Sequence, residues 1–138
     1  MADTTDKQQV FLDAGIDFHE GVERFMSEEL YIQYLCKFLF DGSVEELCFG
    51  IELENWDMVQ NSALTLCGTA SNLSLNRLTK KILELLELVA TVSRSKVDSE
   101  RVKEALEQIM IAYHTACNVI EKVYYEDPLA ASQLAENK

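Results

Sequence analysis

The side chains able to do chemistry in this chain are two histidines, four cysteines and an excess of carboxylates. His19 and His114 are the groups whose ordinary titration falls near neutral pH. His114 stands in a segment where Leu106, Ile109, Tyr113, Ala116, Ile120 and Val123 recur at helical spacing. It falls about 140° around such a helix from Ile109 and is expected at the surface. Glu107 and Glu121 flank it at helical spacing, and their charge would repel an incoming anionic group. His19, beside Glu20 in a broken pattern, reads as a surface residue. Cys36, Cys48, Cys67 and Cys117 lie 12, 19 and 50 positions apart, which fits neither a close-pair metal site nor a small disulfide framework. They read as small hydrophobes or surface thiols. No Glu-x-x-His pair, Gly-rich phosphate loop or Ser-His-Asp grouping can be assembled. A protein that is not an enzyme, with no metal and no cofactor, is expected.

The elements that would position these residues are helices. One proline and five glycines in 138 residues leave few breaks, and apolar positions recur at three and four rather than at two. Residues 1–9 are polar and aperiodic and read as a disordered tail. Over 10–25, Gly15 and Gly21 interrupt the anchors Phe11, Leu12, Ile16, Phe18, Val22 and Phe25, which predicts a short helical brace. Ser27 caps a helix to about 41 with Leu30, Tyr31, Tyr34, Leu35, Phe38 and Leu39 as its apolar set. Ser43 with Glu46 has capping-box spacing for a helix to about 55, carrying Val44, Leu47, Cys48, Ile51 and Leu53. Further helices are expected over 56–73, 75–93 and 98–125, with Pro128 forbidding continuation and 127–138 frayed. One domain, 10–126, is expected, built as an all-α antiparallel helix bundle.

The net charge of −12 and pI near 4.5 oppose nucleic acid, where affinity comes from Lys and Arg displacing counterions. They also disfavour anionic membranes, and the most apolar stretch, 83–92, is interrupted by Glu84 and Glu87. No span is expected. The polar start lacks a secretory signal, so a cytoplasmic protein is expected.

The segment 56–73 carries the one irregular pattern. At about 100° per residue, Val59, Ala63, Leu66, Ala70 and Leu73 form a core stripe, and Leu64 falls about 160° from Leu66. Leu64 should therefore face solvent among Asp57, Gln60, Asn61, Gly68 and Ser71. A lone exposed leucine is common and needs no explanation by itself. Gly68 is a second oddity one turn later, because a mid-helix glycine costs about 1 kcal/mol relative to alanine.

The run Ala63-Leu64-Thr65-Leu66-Cys67-Gly68-Thr69-Ala70-Ser71-Asn72-Leu73-Ser74 resembles the signature helix of histidine-phosphotransfer (HPt) domains of two-component phosphorelays, roughly Ala-His-x-Leu-Lys-Gly-Ser/Thr-Ala/Ser followed by Asn-Leu-Gly. The stretches 14–17, 22–25 and 29–31 are similar to the opening of many bacterial members, and the likeness spans roughly 11–124. Leu64 stands at the phosphate-accepting histidine, Cys67 at the lysine and Ser74 at a usual glycine. A leucine has no lone pair, so phosphoryl transfer cannot occur there.

The resemblance implies an all-α, antiparallel up-down four-helix bundle with a short N-terminal helical brace. It implies a receiver domain of a response regulator, or a hybrid sensor kinase, as partner. Gln60, Asn61, Leu64, Cys67, Gly68 and Ser71 would form the partner-binding face, acting as decoy, scaffold or regulator. A monomer is expected. The alternative is a helical-bundle interaction module no longer tied to phosphorelay, self-associating through Leu64.

Overall fold

Helical periodicity and scarce breakers yield helices wherever regular structure occurs among the described residues, which in this computed structural model are 4–90 and 93–126. The helices are α1 (Thr4–Asp13), α2 (Phe18–Phe25), α3 (Glu28–Phe38), α4 (Ser43–Glu52), α5 (Trp56–Asn72), α6 (Asn76–Ala90) and α7 (Ser99–Glu126). A single 3₁₀ turn, Arg94–Lys96, precedes α7. Helices adjacent in sequence pack together: α4 on α5, α5 on α6 and α6 on α7. The long α7 also meets α1, α3 and α4, which closes the assembly. No helix among the described residues is long and apolar enough to cross a membrane.

The core follows the helical stripes. Val59, Ala63, Leu66, Ala70 and Leu73 are buried, as the wheel of α5 requires. They meet Leu78, Ile82, Leu85 and Val89 of α6, and α7 adds Ile109, Tyr113, Ala116, Ile120 and Val123 to the same core. Leu106 is only half-buried, at the edge of the α7 stripe. On α3 the buried side is Tyr31, Ile32, Leu35, Cys36 and Phe38, whereas Leu30 and Tyr34 are exposed. The helix packs against both α2 and α7, so its buried arc reaches Ile32 and Cys36 and leaves Leu30 and Tyr34 outside.

Three further expectations need correction. Helix α1 begins at Thr4, inside the stretch expected as a tail. Within it Lys7 meets the rest of the fold, its Nζ 3.7 Å from Glu28 of α3 and 5.7 Å from the Phe18 ring centre. The capping box of α4 does not form: Gly42 is the N-cap and makes no side-chain cap bond. Asp41 instead accepts the backbone N–H of Ser43 at 2.8 Å, so a carboxylate one position further out satisfies that donor. Leu53, placed with the apolar set of α4, is exposed just past its end. The frayed tail expected over 127–138, residues 1–3 and residues 91–92 near the expected end of the fourth helix lie outside the described residues.

The brace is held by aromatic rings. Phe11 stacks on Phe18 at 4.8 Å, Phe18 meets Tyr31 at 5.4 Å, and Phe25 lies 5.5 Å from Tyr31 and 5.2 Å from Tyr34. Each such pair contributes about 0.5–1.5 kcal/mol beyond area burial. Gly21 makes this possible, because a Cβ there would fall 2.1 Å from Cζ of Tyr31.

Candidate docking face

Helix α5 is fixed at both ends before its exposed face is considered. At its start the Asn55 side chain accepts the N–H of Met58 at 3.2 Å, satisfying one of the free donors of the first turn. At its end Leu75 N–H reaches Ala70 O at 2.9 Å and Ser74 N–H reaches Ser71 O at 3.1 Å. That is the Schellman pattern, with Ser74 in the left-handed region at φ 59°. The brace then takes up the last carbonyls. Arg24 Nη1 donates to Ser71 O at 3.1 Å, Asn72 O at 2.9 Å and Ser74 Oγ at 2.7 Å. Tyr31 donates its hydroxyl to Leu73 O at 2.6 Å, and Ser74 Oγ donates to Glu20 at 2.7 Å. Burial, then Asp17, raise the Tyr31 phenol well above its ordinary value, so it stays a donor.

Opposite the core stripe, α5 presents the residues expected there. Leu64 is 53% exposed; Asn61, Gly68 and Ser71 are exposed, and Gln60 and Cys67 are half-buried. Burial raises the Cys67 thiol above its ordinary range, so it is a protonated, weakly polar contact rather than a ready nucleophile. A Cβ at Gly68 would meet nothing within 4 Å. The glycine therefore has no packing reason among the described residues.

The face is almost uncharged. Asp57 is the sole charged residue of α5, and Arg94 neutralises it with Nε and Nη2 each 3.0 Å from Oδ1. The same guanidinium bonds Gln60 Oε1 and donates to Val89 O at 2.6 Å. At the other end, Lys37 lies 5.0 Å from the Tyr34 ring centre. It lines with Tyr34, Asp41, Gly68 and Asn72 an open groove of about 540 Å³ between α3 and α5. An apolar side chain thus stands on a polar, nearly neutral helix between two cationic groups from other elements.

Sequence reasoning did not find Arg94 and Lys37, which reach the face from the turn before α7 and from α3. Only their charge in a poorly basic chain could have drawn notice. The hydroxyl contacts of Ser74 were equally hidden, because they depend on the brace folding back onto the end of α5.

The histidines lie elsewhere. His114 is exposed on α7 with its ring 5.5 Å from that of Tyr113. His19 is exposed on α2, with Nε2 3.0 Å from Glu23. Among the described residues no group of three or more His, Cys, Asp or Glu is placed to hold a metal ion. No protein-family model, characterised protein or solved structure matches the chain.

Proposed function

We propose that this chain is a docking module of the phosphotransfer type, which binds the receiver domain of a two-component relay through the exposed face of α5 and accepts no phosphate. The observation that carries the reading is Gly68. A glycine inside a helix costs about 1 kcal/mol relative to alanine, and nothing among the described residues occupies the space its missing Cβ leaves. The space is then useful to something that approaches from outside. Leu64, one turn earlier, is the apolar anchor that such a partner would bury, worth roughly 1–2 kcal/mol. The scarcity of charge on α5 supports the same reading, because interface centres are depleted of charged residues while rims keep them. Arg94 and Lys37 would be such a rim.

The resemblance in 63–74 supplies the partner class. With leucine at the accepting position, occupancy of the receiver is the only outcome of docking, so the module acts as decoy, scaffold or regulator. Packing of α4 through α7 as successive neighbours, with α7 meeting α4, supports reading them as an antiparallel up-down four-helix bundle. The brace would buttress it at the end of α5.

The test pairs binding with phosphotransfer. The chain should bind one receiver domain saturably, and Leu64→Asp should weaken binding at least tenfold, about 1.4 kcal/mol. Incubation with a phosphorylated receiver should leave the chain unlabelled. Acid-labile phosphate appearing on His114 would contradict the proposal, as would receiver binding indifferent to Leu64→Asp.

A further inference from the structure

Beside the docking face lies a surface of another character. Between Lys37 and Arg77 the chain contains no basic residue, and its acids there are Asp41, Glu45, Glu46, Glu52, Glu54 and Asp57. Asp57 is paired with Arg94 and Asp41 accepts the Ser43 N–H. The four glutamates are exposed, and none takes part in an ion pair among the described residues. In their midst Phe49 and Leu53 are 54% and 56% exposed, one helical turn apart. Glu45, Glu46, Phe49 and Met58 line an open groove of about 490 Å³ between α4 and the start of α5.

Phe49 is not needed for the core, which α4 serves with Val44, Leu47 and Ile51. The two helices already lie close at Gly50, where a Cβ would fall 3.1 Å from both Met58 Cγ and Val59 Cγ2. An aromatic ring and a leucine are therefore left to solvent on a surface that carries four uncompensated negative charges.

We infer that this groove docks a basic amphipathic helix of a partner protein, its apolar stripe covering Phe49, Leu53 and Met58 and its Lys and Arg side chains facing the four glutamates. Charge complementarity selects this occupant. Two copies of this surface would bring like-charged rims together, and nucleic acids and anionic membranes are repelled by the same carboxylates. Helix-in-groove recognition places apolar anchors at successive turns, and Phe49 and Leu53 offer contacts at that spacing. Met58 lies about 120° around α5 from Leu64. The groove is thus separate from the docking face, and the inference does not depend on the receiver reading.

The test uses the whole chain and a labelled Leu/Lys peptide with its leucines at helical spacing, against a scrambled peptide of the same composition. Fluorescence anisotropy at low salt should show saturable binding of the amphipathic peptide, at least tenfold tighter than of the scrambled one. Phe49→Ser combined with Leu53→Ser should weaken it at least tenfold with the helical circular dichroism retained. Glu45→Gln with Glu46→Gln and Glu52→Gln should flatten its salt dependence, while Leu64→Asp should leave it unchanged. Equal binding of the scrambled peptide, or full binding by the Phe49 and Leu53 variant, would overturn the inference. So would a dimer in sedimentation that Phe49→Ser disperses, which would assign the surface to a second copy.

Discussion

Ser74 holds φ 59° at a position that favours glycine, yet its hydroxyl joins Arg24 to Glu20 across the brace. The two effects oppose each other, and a pair of substitutions separates them. Ser74→Ala keeps the left-handed strain and loses both hydrogen bonds from a buried site, so it should cost about 1–3 kcal/mol. Ser74→Gly loses the same bonds but relieves the backbone, and should be more stable than the alanine variant by about 1 kcal/mol. Urea denaturation of the two variants checks the order, and an alanine variant equal to wild type would show that the hydroxyl network is idle. Cys67 offers a second residue-scale expectation. With its thiol raised by burial, alkylation at pH 7 should run slower than for an unfolded-chain cysteine and should accelerate as pH rises. Mass spectrometry of iodoacetamide-treated protein reads this directly.

Helix α5 shows how much of an element its sequence reveals. The stripe Val59, Ala63, Leu66, Ala70 and Leu73 and the exposed Leu64 were both legible, because 3.6-residue periodicity alone decides which side faces the core. Its N-cap Asn55 stood at the expected boundary. Legibility failed where a choice depended on contacts distant in sequence. Which arc of α3 is buried was decided by α2 and α7, and the polar start of α1 meets Glu28 and Phe18 through Lys7. The cap of α4 failed for a local reason: Asp41 takes the Ser43 N–H, the donor that Glu46 would have accepted in a capping box. The cations of the docking face were illegible because both come from other elements. Gly68→Ala tests the element itself. If the glycine serves only an outside partner, alanine should stabilise the free chain by up to about 1 kcal/mol, since its Cβ meets nothing. A loss of stability in thermal unfolding would show an internal role for the glycine.

At the scale of the whole molecule, several buried acids share one direction of shift. Tyr31 and Tyr113 are raised well above the ordinary phenol value of 10.0, chiefly by burial. Burial also pushes Cys117 up from 9.0 to about 11. A group whose folded pKa exceeds its unfolded one holds its proton more tightly when folded, so its contribution is complete below the unfolded pKa and declines as pH rises. Stability should therefore hold at pH 7–8 and fall from about pH 9 upward. Tyr31→Phe should lower stability at pH 7 by about 1–2 kcal/mol through loss of the bond to Leu73 and should reduce the alkaline fall. Unfolding midpoints measured across that range check both, and a flat profile would refute the linkage.

The same molecule separates a neutral, leucine-centred face on α5 from an acidic, aromatic one on α4, and the central claim concerns the first. A calorimetric titration of the chain against the receiver domains of its own organism, repeated with Leu64→Asp and Gly68→Gln, tests it most directly. Saturable binding of one receiver, lost or weakened at least tenfold by each substitution, is the predicted result. A folded chain that binds none of them, or binds one equally well with either substitution, would contradict the account.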